Sequence, residues 1–331
     1  MPTLPPHNPD TPTTPAPLHD TIVIAVDMGG TKIAGALVDR RGYLTEKRTA
    51  PTWPEDGGLR GLDALVAVIT DLRAASERRG TSIHAVSVSV AGVVRHKTGF
   101  VQLAPNLQWY DFPLRSALVE RIGLPVVLGN DGKLATLGEY HAGAGAGAGA
   151  LVGVWIGTGV GGGIVLNGQL LHGAQEAAGE MAYMLPDRHA LAQTFPDLGA
   201  LEILVAGPGI ARRAEIALVA SPNIPSRLRN ADNTLQALDV FAAARMGDEL
   251  AGAIMDETLD YLALMLANAS VILDPHRIVV GGSVGLALAP WYEAIRERMN
   301  GRIPHVPPII AAALGGDAPL VGAAALAWGG S

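Results

Sequence analysis

The chain has 331 residues, 49% hydrophobic and 17% charged, which describes a folded protein with material for about two domains that each bury a core. A net charge of −7 supplies no basic stripe for sequence-independent nucleic-acid binding. The absence of cysteine excludes disulfides, thiolate chemistry and cysteine-zinc sites.

Residues 1–20 are rich in proline and threonine and lack a basic region followed by an apolar run. They read as a disordered tail rather than a secretory leader. The β-branched run Thr21 to Val26 predicts a buried strand, and Ile33 to Val38 a second one after the turn at residues 27–32. Asp39-Arg40-Arg41-Gly42 reads as a hairpin turn into a third strand, Tyr43 to Thr49. Leu62, Leu65, Val66, Ile69 and Leu72 recur at helical spacing and predict a helix over 61–78. A strand from Ile83 to Val90, a helix near 112–122, a short strand from Pro125 to Leu128 and a helix from Asp131 to His141 complete a first α/β lobe, residues 21–141. Lys133 is expected to face solvent and Trp109 to sit in the core.

The low-complexity run Ala142 to Ala150 reads as a flexible linker over 142–149. The first pattern then returns. Ala150 to Ile156 is a strand, Gly157 to Gly163 a glycine turn, Ile164 to Leu166 a strand, Asn167-Gly168 a hairpin turn and Gln169 to His172 a further strand. Helices near 199–219, 234–246, 248–271 and 289–299 follow. The strand Arg277 to Val280 ends in Gly281-Gly282-Ser283, and a strand near 308–313 and a helix near 319–328 close a second lobe, residues 150–331. The last helix can pack back on the first lobe. Leu262 to Leu273, the longest apolar run, stops at Asp274-Pro275 and is too short to cross a bilayer, so a cytoplasmic location is expected. This inexact duplication predicts an α/β fold of two lobes with mixed sheets flanked by helices and a cleft between them. His172 and Glu176 are four apart, but a solvated pair is the expected reading.

Ligands in such sheets sit beyond the carboxyl ends of strands, where the glycine turns fall. Glycine lets backbone N–H groups approach an anion closely. Lys32 can point at terminal phosphate charge, and Thr31 offers a hydroxyl. Asp27 suits a magnesium ion held through water. Gly157, Gly159 and Gly162 satisfy G-x-G-x-x-G, but the motif leads into a strand rather than a helix, against a dinucleotide site. Asp131, after a strand and before a helix, reads either as an N-cap or as a general base.

Val26 to Lys32, Asn130-Asp131, Gly157 to Gly163 and Ala178-Gly179-Glu180 together resemble the ROK family of sugar kinases and repressors, within the actin/hexokinase-like ATPase superfamily. The resemblance runs from about Thr21 to Trp328 and implies two ribonuclease-H-like lobes closing on ATP and a sugar. By position, Asp27, Gly29, Gly30, Thr31 and Lys32 resemble the first phosphate motif. Gly157, Thr158 and Gly159 resemble the second, and Gly281, Gly282 and Ser283 the nucleoside-side turn. Asn106, Glu180 and Glu202 resemble the sugar-contacting residues, and Asp131 the catalytic aspartate. Tyr183 stands where the family's E-x-G-H motif has histidine. The family's C-x-C-G-x-x-G-C cluster is gone, with Ala200 in place of its last cysteine, so no structural zinc is expected and residues 184–198 must hold by packing alone.

The resemblance implies ATP- and magnesium-dependent phosphorylation of a hexose hydroxyl, the 6-position of glucose by default, by a homodimer. A sugar-sensing protein with weak or no kinase activity is the alternative, and an actin-like ATPase a weaker one. With only proline-rich residues ahead of the first strand, DNA binding is not expected, and no membrane partner is.

Overall fold

The computed structural model describes residues 21–53, 58–195, 198–230 and 234–329. The expected tail at 1–20 lies outside the described residues.

In the first half, β1 (Thr21–Met28), β2 (Lys32–Val38) and β3 (Leu44–Pro51) lead into α1 (Leu59–Arg79) and β4 (Ser82–Val90). A small sheet follows, formed by β5 (Val93–Arg95), β6 (Phe100–Ala104) and β7 (Trp109–Phe112). Then come α2 (Leu114–Ile122), β8 (Val126–Asn130) and α3 (Asp131–Ala142). The second half contains β9 (Ala150–Ile156), β10 (Val160–Leu166), β11 (Gln169–Leu170), α4 (Glu202–Val205), α5 (Gly207–Ala220), α6 (Ala237–Arg245) and α7 (Glu249–Leu273). It ends with β12 (Arg277–Gly281), α8 (Ser283–Ala287), α9 (Tyr292–Met299), β13 (Ile309–Ala311) and α10 (Ala318–Ala327).

The two large sheets have the same topology. The first runs β3-β2-β1-β4-β8 and the second β11-β10-β9-β12-β13. In each, the first three strands are antiparallel neighbours and the last two join in parallel. The duplication read in the sequence is therefore a duplication of fold: two ribonuclease-H-like lobes of the actin/hexokinase type.

Strand periodicity explains how the lobes meet. Successive side chains on β1 point to opposite faces. Ile22, Ile24, Val26 and Met28 pack with Leu62, Leu65, Ile69 and Leu72 of α1. Val23 and Ala25 face the other way, into a core with Leu134 and Leu137 of α3 and Leu320 and Ala324 of α10. On β9, Val152, Val154 and Ile156 join the core built by α5 to α9, while Leu151 joins the α3–α10 core. Strands buried on both faces read as continuous apolar runs, which is why β1 and β9 stand out in the sequence. Helices α3 and α10 form an inner layer shared by both halves.

Several expectations change. The Gly/Ala run is not an unstructured linker: Ala144 N donates to Glu139 Oε2 at 2.7 Å, Gly145 N to Glu139 O at 2.9 Å, and Ala148 is buried. Small residues are needed there for tight turns against α3. The second glycine turn spans only residues 157–159, because β10 already starts at Val160. Its remaining glycines serve close packing, since a Cβ on Gly163 would lie 2.6 Å from Thr136 Oγ1 on α3. The helix expected over 199–219 breaks at Ala206 (φ −70°, ψ 157°) before Gly207-Pro208, where proline cannot donate to a continuing helix. The strand expected to reach His172 stops at Leu170. The small β5–β7 sheet was not anticipated; its strands are too short to show periodicity.

Candidate active site

The carboxyl ends of β1, β4 and β8 and the turns after β9 and β12 converge on a cleft of about 460 Å³. Its lining includes Asp27, Asn106, Asp131, Gly157, Thr158, Gly159, Glu180, Glu202 and Gly282. Residues spread over most of the sequence are thus brought together, within the size range of small-molecule sites.

Asp27, one residue before the end of β1, lies directly opposite Ser89 of β4. Ser89 Oγ donates to Asp27 Oδ1 at 2.6 Å. Burial raises the Asp27 carboxyl above the ordinary range, against the lowering effects of Ser89 and Lys32. The turn that follows is closed by Gly29 N to Lys32 O at 3.0 Å and tied down by Thr52 Oγ1 to Gly29 O at 2.7 Å. Thr31 and Lys32 are exposed, and neither they nor Gly29 and Gly30 are among the residues that line the cleft. Gly30 packs so closely on Asn106 that a Cβ would lie 2.8 Å from the Asn106 Cβ. The first glycine turn and Asn106 are therefore adjacent.

Asp131 is the first residue of α3 but not its cap. Asn130 is the cap, accepting from Lys133 N at 3.0 Å, and its Nδ2 donates to Asp131 Oδ1 at 2.9 Å. Gly132 N donates to the same oxygen at 2.8 Å. Burial, then the nearby Asp27 carboxyl and, more weakly, Glu180 push the Asp131 pKa up to about 7, partly offset by the backbone donors. A carboxylate poised there can hold or release a proton near neutral pH, as a general base must.

On the opposite wall, Gly157 N bonds Gly159 O at 2.9 Å, and Gly207 N at the start of α5 bonds Gly157 O at 2.8 Å. Glu202 opens α4 and accepts from Val160 N at 2.6 Å through Oε2. Burial raises the Glu180 pKa, with Lys133 lowering it and Glu202 raising it. Gly281 ends β12, and Gly282 adopts φ +79° against the carbonyl of Ile156, where a Cβ would lie 2.3 Å from that oxygen. Only glycine fits this position without strain. Ser283 follows as the first residue of α8 and borders a second cavity of about 620 Å³, shared with Gly157, Thr158, Arg212, Gln236 and Leu238.

Tyr183 is 56% exposed and is not among the residues lining the cleft. Burial raises its pKa, and the carboxylates of Glu180 and Glu202 add to the effect. The segment after it is held by more than packing. Asp187 caps a 3-10 turn through His189 N and Ala190 N, and Leu201 N bonds Ala182 O at 3.0 Å. Ala200 is buried.

Two polar readings are corrected. Lys133 is buried, not solvent-facing; its Nζ donates to the carbonyl oxygens of His172, at 3.3 Å, and Glu176. Burial lowers its pKa, against the raising effects of Glu180 and Glu176. His172 and Glu176 are half-buried and joined by His96, rather than forming a solvated pair. Trp109 lies in the core as expected. Sequence reasoning missed Ser89, Trp155, Arg212 and Gln236; the alternation of β4 places Ser89 beside Asp27, but the cavity-lining role of the others appears only in three dimensions.

Comparison with known proteins agrees with this architecture. The ROK family matches residues 23–329. The chain is 33% identical to a glucokinase of Halalkalibacterium halodurans over 313 residues, 92% of this chain and 94% of that one. It is also 33% identical to an N-acetylmannosamine kinase of Shigella flexneri, over 93% of this chain and 98% of the other. The structure of a ROK hexokinase from Thermus thermophilus aligns with a TM-score of 0.78 and 30% identity, covering 93% of this chain and 98% of that one. A ROK family glucokinase from Streptomyces griseus, solved with glucose and AMPPNP, aligns with a TM-score of 0.72 and 32% identity, covering 92% and 98%. Among the described residues no helix is long and apolar enough to cross a membrane.

Proposed function

The chain belongs to the ROK family of the actin/hexokinase-type ATPase superfamily, and from that premise we propose that it is an ATP-dependent sugar kinase transferring the γ-phosphate to a hexose hydroxyl, the 6-OH of glucose first among candidates. The observation that carries this reading is Asp131: a buried carboxylate whose pKa is pushed up to about 7, lining one cleft with Asp27, Glu180, Glu202 and the turn at Gly157 to Gly159. In this reading Asp131 takes the proton from the sugar hydroxyl as it attacks. Asn106, Glu180 and Glu202 hold the other hydroxyls, a task suited to carboxylates that accept several bonds at once. Glu202 already spends Oε2 on Val160 N, leaving Oε1 for the sugar. Tyr183 borders this side from the surface and takes a peripheral sugar contact.

The ATP phosphates lie between the turn at Gly29, Gly30, Thr31 and Lys32 and the turn at Gly157, Thr158 and Gly159. The nucleoside occupies the cavity beside Gly281, Gly282 and Ser283. Ser89 engages one Asp27 oxygen and leaves the other open, which would hold a magnesium ion through water, since magnesium keeps several of its waters. Such an ion supplies charge neutralisation at the β- and γ-phosphates. Before the ion binds, burial first and the Asp27 carboxylate second hold the Asp131 pKa up. The protein acts as a homodimer in the cytoplasm.

The test is ADP release, with the phosphosugar identified by phosphorus NMR, across glucose, mannose, N-acetylmannosamine, N-acetylglucosamine and fructose. Turnover that requires a hexose, with glucose the best acceptor, is the expected result. Sugar binding by calorimetry with no turnover on any sugar would replace the kinase by a sensor. ADP release without sugar would favour an ATPase.

A further inference from the structure

We propose that His96, His172 and Glu176 form a binding site for a divalent transition-metal ion, zinc by its donor chemistry, that joins the two lobes beside the sugar-side segment. His96 lies in the turn between β5 and β6 of the first lobe. His172 and Glu176 lie in the second, between β11 and Glu180. The Glu176 carboxylate meets both imidazoles, Oε1 to His96 Nδ1 at 2.6 Å and Oε2 to His172 Nδ1 at 3.3 Å. The imidazole rings stack with centroids 3.6 Å apart. One ligand atom from each residue lies within 4.8 Å of the others. Two imidazoles and one carboxylate are a zinc donor set that leaves a fourth position for water.

The supporting backbone is held from behind. The Arg115 guanidinium donates to the carbonyls of His96 and Lys97, the latter at 2.9 Å. Lys133 Nζ donates to the carbonyls of His172 and Glu176. Neither cation bonds the imidazoles or the carboxylate in these contacts, so the three side chains are left to one another. Glu176 keeps φ +62°, a conformation that a non-glycine residue holds only when its surroundings fix it. His172 Nε2 is buried without a hydrogen-bond partner. Metal entry replaces the N–H···O contacts of the cluster; the ligating nitrogens give up their protons, and the stacked rings turn apart to aim them at the ion. The positive charge of Lys133 opposes the ion and sets a limit on affinity. These residues are distinct from the cysteine cluster that the family uses and this chain lacks.

The full chain, freed of metal with a chelator, is to be titrated with zinc by calorimetry and its metal content measured after gel filtration. One zinc per chain is expected, together with a rise in melting temperature. His96→Asn, His172→Asn and Glu176→Gln should each weaken binding by at least about 10-fold, the lower end of what even outer-sphere changes cost. Metal-free melting temperatures of the variants identify any that misfold. Cobalt(II) binding to the unmutated chain supplies a readout independent of substitution: the visible bands of a four-coordinate ion are expected. No saturable binding of one ion, a cobalt spectrum of purely aqueous type, or unchanged affinity in folded variants would overturn the proposal.

Discussion

At the scale of single residues, the chemistry rests on carboxylates whose environments differ. Asp131 and Asp27 share a cleft floor, and two carboxyl groups in one poorly solvated space resist ionising together. If Asp131 is the base, kcat/KM for a hexose should fall about tenfold per pH unit below about 7 and level off above it, because only the ionised form accepts a proton. A flat profile between pH 5 and pH 8 (roughly the range around that pKa) would contradict the role. The same shift has a stability consequence of opposite sense. A folded-state pKa raised from 3.8 to about 7 stabilises the fold fully below the unfolded value, and that contribution is lost as pH rises through the folded one. Asp131→Asn should therefore raise the melting temperature at alkaline pH and have little effect in acid. Asp131 was legible because it sits in a motif with neighbours of fixed spacing. Lys133, two residues on, was not: a lysine on a helix reads as exposed unless one knows that β10 and the loop carrying Glu176 close over it.

At the scale of elements, the crossing of α3 and α10 decides where Asp131 lies. The helices approach to backbone contact, with a Cβ on Gly322 falling 1.7 Å from Leu134 O and one on Gly138 falling 2.1 Å from Ala318 O. Gly322→Ala should force the helices apart and cost on the order of 1–3 kcal/mol or more, seen as a lower urea midpoint. Activity should fall with it, since α3 carries Asp131. Glu139 is a second fixture. It is fully buried, and its carboxylate accepts from Ala144 N, Ala313 N and Leu314 N, joining the turns after α3 to the chain ahead of α10. Glu139→Ala removes the acceptor of three part-buried backbone donors, which water can partly replace, and should destabilise by about 1–3 kcal/mol. The strands and long helices were legible from their periodicity. The Gly/Ala run was misread because its order comes from Glu139 and from strand β9, and nothing in the run itself announces either.

At the scale of the whole molecule, one three-strand-plus-two pattern is used twice, and the copies are fastened by a shared helical layer. Each copy carries a glycine turn after its first strand, the second lining the cleft at Gly157 to Gly159 and the first packing on Asn106 through Gly30. The repeated turns were the strongest sequence signal because repetition in a matching context is unlikely for two unrelated connections. What the sequence concealed is the shape of the side of the cleft built from irregular segments, where Asn106 and Glu180 lie; such segments have no period, and their shape follows from caps, short strands and ion pairs with distant residues.

The most direct measurement is hexose-dependent ADP production by the unmutated chain and by Asp131→Asn under saturating ATP and magnesium. Phosphoryl transfer with Asp131 as base predicts turnover that requires the sugar and falls by about 10²–10⁴-fold in the variant, with nucleotide binding retained. Equal turnover by the two proteins, or ADP release indifferent to sugar, would contradict it.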